Sequence, residues 1–265
     1  MRRPSEIIAN IEKNKETMEF IPTGFKLLDD FLDGGFLRQE MILLGAYTGV
    51  GKSFVSGSIL YNIAQKGFKC GYFSLEISSE MIVSRILGQK TNIKPTMITS
   101  GVLEKNEKKS LKEAKAELIA YDNFIFIEDE IYELDDLEKE IKRSDFDFVI
   151  VDFIQNVFEP GLEYERLSKV ALAFQRIAKE ANLCLLALSQ ISNEAHKKGY
   201  LEYKGSGSIA TVCDLGMFLK RAEAEENIDG VELEIRKNRR GPSGRRFALT
   251  FTQPGGALKE TGTWI

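Results

Sequence analysis

Residues 46–53 read Ala46-Tyr47-Thr48-Gly49-Val50-Gly51-Lys52-Ser53, the Walker A pattern with an alanine in place of its usual first glycine. Gly49 and Gly51 let the backbone turn tightly, so that successive N–H groups face one anion. An apolar strand, Met41–Leu44, is expected before the loop, and a helix from about Lys52 after it. The helix N-terminus adds partial positive charge where the phosphates would sit. Lys52 is placed to reach the β- and γ-phosphates, and Ser53 to offer its hydroxyl to Mg²⁺. All eight residues are therefore candidate nucleotide contacts, with ATP and Mg²⁺ as the expected ligands.

Working outward, short apolar runs alternate with helical patterns. Cys70–Leu75, Phe124–Ile127, Phe148–Val151 and Leu183–Leu188 have strand length. Helices are expected around Phe25–Leu32, ended by Gly34-Gly35, through Ile86 and Leu87, over the Lys/Glu-rich 103–118 stretch, and over 164–180. Continuous apolar strands separated by helices imply an α/β fold with a mostly parallel sheet covered on both faces. After about residue 213 the pattern changes. Val231–Ile235 and Phe247–Phe251 flank Gly241-Pro242-Ser243-Gly244 and read as a β-hairpin. Ile7, Ile8 and Ile11 mark a short amphipathic N-terminal helix, followed by a polar linker to residue 22. The remainder, 23–265, reads as one domain.

Two strand ends offer carboxylates. Asp152 follows the buried run Phe148–Val151, at the end of an open α/β sheet where ligands bind, and is the expected second magnesium contact. Glu76 follows Tyr72-Phe73-Ser74-Leu75 and is placed to polarise a water for attack on a γ-phosphate. A carboxylate opening a helix would look the same, because the macrodipole favours it.

Composition narrows the class. Of 265 residues, 43% are hydrophobic and 29% charged, an ordinary globular balance. No apolar stretch approaches the ~18 residues of a membrane span, and no secretory signal follows Met1. A cytoplasmic setting is expected. Cys70, Cys184 and Cys213 sit far apart in apolar runs, as core residues of a reducing compartment do. With His196 the sole histidine, a zinc site or a Ser-His-Asp triad has too few parts. The net charge is -4, against the basic footprint usual for nucleic-acid binding. The charge is uneven, however. Residues 128–140 are strongly acidic and read as a solvated face, whereas 236–246 hold Arg236, Lys237, Arg239, Arg240, Arg245 and Arg246.

Seven segments, in order, resemble the motor domain of DnaB-type hexameric helicases: residues 22–35, 43–53, 72–78, 148–155, 186–192, 204–221 and 236–244. The similarity spans nearly the whole chain from about residue 21. It implies a RecA-like P-loop NTPase and gives residues specific roles. Glu76 corresponds to the glutamate that activates water. Asp152 is the Walker B aspartate, with Gln155 in its extension, and Gln190 matches the polar sensor of the γ-phosphate. Lys237 and Arg239 match a lysine and an arginine finger that reach a neighbouring subunit's ATP. Arg240 also offers a guanidinium, and the distance from Lys237 assigns the finger to Arg239. Lys204, Gly205 and Gly207 match a loop that touches single-stranded DNA in a central channel. Six such loops on one strand would make an acidic ring basic where it meets DNA.

The resemblance further implies a homo-hexamer moving 5′ to 3′ and unwinding duplex DNA, with primase or a helicase loader as partner. The family's usual N-terminal domain has no counterpart in these residues, which leaves those two contacts open. A RecA/RadA-type recombinase would share the nucleotide site but form filaments. A KaiC-like or loader-like regulatory ATPase would not translocate.

Overall fold

The computed structural model describes residues 3–6, 8–9, 20–191, 207–222 and 230–264. Its centre is a nine-stranded sheet that includes the apolar runs that the sequence singles out. In chain order the strands are β3 (Met41–Ala46), β4 (Cys70–Ser74), β5 (Ile125–Glu128), β6 (Phe148–Asp152), β7 (Cys184–Gln190), β8 (Leu215–Arg221), β9 (Gly230–Asn238), β10 (Arg246–Thr252) and β11 (Ala257–Trp264). Their spatial order is β11-β10-β9-β8-β3-β7-β6-β4-β5. From β8 to β5 every pairing is parallel. From β8 outward through β11 every pairing is antiparallel. β3, β4 and β6 are buried at every position, as strands covered on both faces must be.

Helices cover the two faces: α1 (Lys26–Phe31), α2 (Lys52–Ala64), α3 (Ser79–Thr91), α4 (Pro95–Ser100), α5 (Lys105–Ile119), α6 (Leu134–Arg143), α7 (Glu163–Glu180) and the short α8 (Gly207–Val212). One core holds Val55, Ile59 and Ile63 of α2 against Ile42, Leu44, Ile150 and Leu186. The other holds Leu167, Val170, Phe174 and Ile177 of α7 against Leu43, Val149, Val151 and Leu185. The i, i+3, i+7 spacing of the α7 residues is what turns one stripe of that helix to the sheet.

Several sequence expectations change. The C-terminal hairpin is present as β9–β10, with Arg246 opposite Glu234. It is the middle of a four-stranded antiparallel extension, because β8 and β11 flank it. β11 has no strand signature in the sequence because Ala257–Trp264 carries few apolar residues. The acidic run is a solvated face only in part. Within α6, Leu134, Leu137 and Ile141 are buried while Asp135 and Asp136 are exposed, so the run is an amphipathic helix. Residues expected to end the linker already belong to the body. Phe20–Ile21 form β1, paired with β2 (Phe36–Leu37), and Ile21 is fully buried. Of the expected N-terminal helix, 4–6 and 8–9 are helical, and the rest lies outside the described residues. Among the described residues, no helix is long and apolar enough to cross a membrane.

Candidate active site and a distant basic pole

The loop after β3 turns through Gly49 (φ 79°) and Gly51 (φ 108°), a region that residues with a Cβ rarely enter. Gly51 has a second constraint, since a Cβ there would run into the Phe251 ring of β10. The carbonyl of Gly51 accepts from Phe54 and Val55 N–H and so starts α2. Arg221, at the end of β8, donates from Nη2 to the Gly49 carbonyl at 3.1 Å. The antiparallel extension therefore holds the phosphate loop from the side. The sequence assigned no role to Arg221 or Phe251, because their relation to the loop depends on how the sheet is ordered.

Lys52 is 9% exposed, with Nζ 4.8 Å from the centre of the Phe153 ring. Burial lowers its pKa, and the charges of Asp152 and Glu76 act in the opposite direction. Ser53 Oγ donates to Asp152 Oδ2 at 2.9 Å, and Tyr72 Oη donates to the same oxygen at 2.7 Å. Ser56 Oγ lies 3.1 Å from Tyr72 Oη. Burial pushes the Tyr72 phenol well up, so it remains a donor. Asp152 itself is fully buried, and among the described residues its Oδ1 has no hydrogen-bond partner. A buried carboxylate oxygen without a partner is costly and calls for a missing ligand. Together with the Ser53 hydroxyl, this hard oxygen donor suits Mg²⁺. Tyr72 was legible only as a phenol in an apolar strand, which must find a partner when buried.

Glu76 is exposed in the bend after β4. Leu75 N–H donates to the Asp152 carbonyl, and Asn156 Nδ2 donates to the Leu75 carbonyl at 2.7 Å. Those two bonds set the bend beside β6. Gln155 Nε2 donates to Ser189 Oγ at 2.8 Å, while Gln155 Oε1 accepts from the Gln190 N–H at 3.3 Å. Gln190 pairs in register with Ala46. Thus Ala46–Ser53, Glu76, Asp152, Gln155 and Gln190 all gather at one pole, the C-terminal ends of the parallel strands.

Lys237 and Arg239 do not join them. β9 runs antiparallel to β8 and carries both residues to the other pole, where Asn238 pairs with Leu215 and Leu215 with Ile42. From Met41 to Ala46 the sheet runs about 17 Å at the usual rise of a strand. There Lys237 Nζ donates to the carbonyls of Ala210 and Thr211, both at 2.8 Å. Arg239 donates to Asp214 Oδ1 at 2.8 Å and to the Thr211 carbonyl at 3.0 Å. Burial lowers the Lys237 pKa, and the neighbouring Arg239 charge lowers it further. Arg240 is committed elsewhere, to Glu40 at 2.9 Å and to the carbonyls of Leu32 and Gly35. Gly207 opens α8, and Lys204 and Gly205 lie outside the described residues.

Residues 20–257 match the family model described as DnaB-like helicase C terminal domain. The chain is 28% identical over 257 residues to the replicative DNA helicase DnaB of Treponema pallidum (strain Nichols), covering 91% of this chain and 57% of that one. It is 28% identical over 265 residues to the replicative DNA helicase DnaC of Bacillus subtilis (strain 168), covering 93% and 58%. The chain thus spans about half the length of these curated relatives. In structure it resembles a solved ATPase domain, with TM-score 0.88, 19% identity and coverage of 99% of this chain and 100% of that one. It also resembles a DnaB-like replicative helicase studied for its interactions with primase, with TM-score 0.83, 19% identity and coverage of 97% and 67%.

Proposed function

From the premise that this chain belongs to the DnaB-like helicase C-terminal domain family, we propose that it is the ATP-hydrolysing motor of a replicative DNA helicase. In this reading it works as a homo-hexameric ring that moves 5′ to 3′ on single-stranded DNA and separates the duplex. The residues before β1 serve as linker and the body from Phe20 onward as motor, in a cytoplasmic setting. A primase or a helicase loader is the partner class that the family suggests.

The observation that carries the reading is the separation of two half-sites. One pole has a phosphate loop, a buried lysine, and a Ser53–Asp152 pair with one carboxylate oxygen unsatisfied. The other holds a lysine and an arginine about 17 Å along the sheet, unable to reach that loop in the same subunit. A ring brings the second pole of one subunit to the first pole of the next. Supplying an arginine from a neighbour makes hydrolysis depend on subunit arrangement.

Ser53 Oγ and Asp152 would hold Mg²⁺, which when bound withdraws charge from the phosphate oxygens. The N–H groups of residues 46–53 and the Lys52 ammonium bind the phosphates and meet the charge that builds up on them. Glu76 orients a water and takes its proton. Gln190, held at its backbone by Gln155, contacts the γ-phosphate and reports its loss along β7. Lys204, Gly205 and Gly207 approach the DNA backbone. A lysine supplies a point charge and glycines allow close contact, so binding is expected to be independent of sequence.

Unwinding of forked DNA tests the reading. ATP-dependent strand separation is expected when a 5′ tail is present and not with a 3′ tail alone, together with ATPase activity raised by single-stranded DNA. Hydrolysis indifferent to DNA would favour a regulatory ATPase, and DNA-bound filaments in electron micrographs would favour a recombinase.

A further inference from the structure

The carbonyls that Lys237 and Arg239 occupy are those of Ala210 and Thr211, in the last turn of α8. The final carbonyls of a helix have no partner within it, and cations there also meet the negative end of its dipole. A helix of six residues is too short to persist unaided. Asp214, just beyond it, receives Arg239 Nη1 on Oδ1 and Met41 N–H on Oδ2 at 3.0 Å. Its own N–H donates to the Met41 carbonyl, and its carbonyl accepts from Arg239 N–H. Asp214 therefore ties Arg239 and α8 to the start of β3, the strand that ends in the phosphate loop.

We propose that Asp214 is the positioning residue of a latch in which Lys237 and Arg239 hold the helix Gly207–Val212, and that the phosphates of a neighbouring subunit's ATP compete with that helix for the same donors. The proposal rests on the trans reading above. Its physical basis is the inequality of the acceptors. Both acceptors of Lys237 and one of the two that Arg239 bonds are neutral carbonyls, whereas a triphosphate presents several anionic oxygens to the same donors and adds charge–charge attraction to each hydrogen bond. The Arg239 side chain is 47% exposed, so it can turn outward without leaving a buried cavity. Nucleotide in one subunit then loosens α8 in the next. Since α8 begins at Gly207, the ATP state is passed to the element beside the expected DNA contact.

Hydrogen–deuterium exchange over 207–214 tests this in the assembled protein, with and without Mg²⁺ and a non-hydrolysable ATP analogue. The analogue is expected to speed exchange of this segment severalfold in the wild type and to leave Lys52→Ala unchanged. Arg239→Ala and Asp214→Asn are expected to exchange fast without the analogue and to ignore it. Asparagine keeps an acceptor for Met41 N–H while removing the charge that holds Arg239, and exchange over 148–152 serves as the internal reference. A rise confined to 207–214 supports the latch, whereas an equal rise in both segments makes Asp214 merely structural and overturns its assignment. Unchanged or slower exchange with the analogue, combined with impaired turnover in Arg239→Ala, overturns the latch and leaves the trans finger standing. Wild-type turnover in Arg239→Ala, or failure of the protein to assemble, overturns the trans reading and the latch together.

Discussion

The two poles of the sheet are built on different physical terms. The nucleotide pole rests on backbone geometry and burial: two glycines at positive φ, a lysine at 9% exposure, and an aspartate sealed from solvent. The basic pole rests on a half-buried lysine and an exposed arginine that cap a short helix, with the Arg239 side chain 47% exposed. The first is fixed by backbone geometry and buried hydrogen bonds. The second is held by hydrogen bonds that a charged ligand can replace. The proposed ring motor would use that asymmetry, with a rigid cradle on one side of an interface and a movable donor on the other.

The largest effect that separates the poles belongs to Arg239. Arg239→Ala is expected to cut ATP turnover about a thousandfold while ATP binding persists. Lys52→Ala is expected to abolish turnover through the opposite pole. Mixed under conditions that permit subunit exchange, the two inactive proteins regain ATPase activity, because some interfaces join an intact loop to an intact arginine. A flat, inactive profile across mixing ratios, despite demonstrated exchange, would refute action in trans.

Glu76→Gln keeps the shape of the nucleotide pole and removes its base. Turnover should fall about a hundredfold or more with the ATP dissociation constant little changed. If equilibrium binding weakens instead and turnover per bound ATP stays normal, Glu76 is a structural charge beside Lys52.

Tyr72→Phe is the mildest change and sharpens the claim that buried hydrogen bonds help fix the first pole. It deletes one donor to Asp152 Oδ2 and leaves Ser53 in place. Unfolding in denaturant should show a loss of about 1–2 kcal/mol, with turnover falling severalfold at most. A loss of turnover as deep as that of Glu76→Gln would mean that the phenol acts in the reaction itself.

The nucleotide pole could be read from the sequence because its parts are local. Residues 46–53 are contiguous, and Glu76, Asp152 and Gln190 each close a strand whose apolar run marks it. In a parallel sheet the ends of such strands must lie together. The hairpin was legible for the same reason, through its turn residues. β11 was not, because Ala257–Trp264 carries few apolar residues, and β8 went unassigned because its apolar run, Met217-Phe218-Leu219, is short and preceded by Gly216.

Local pattern therefore determined the fold class, the phosphate loop and the strand-end carboxylates. The tertiary structure alone decided what each cation and phenol is bonded to. Lys237 and Arg239 reach back some 25 residues or more to Asp214 and α8. Arg240 reaches across 200 residues or more to Leu32, Gly35 and Glu40. Tyr72 meets Asp152 across 80 residues. Arg239 and Arg240 are alike in type and adjacent in sequence, so beyond the spacing from Lys237 that the family resemblance supplies, no local rule separates them. Their environments differ because Arg240 lies against Glu40 and the turn after α1, where its side chain is 20% exposed, while Arg239 stays at the surface beside α8. Backbone turns and apolar periodicity are properties of neighbouring residues, whereas the pairing of side chains depends on which strands the completed sheet sets side by side.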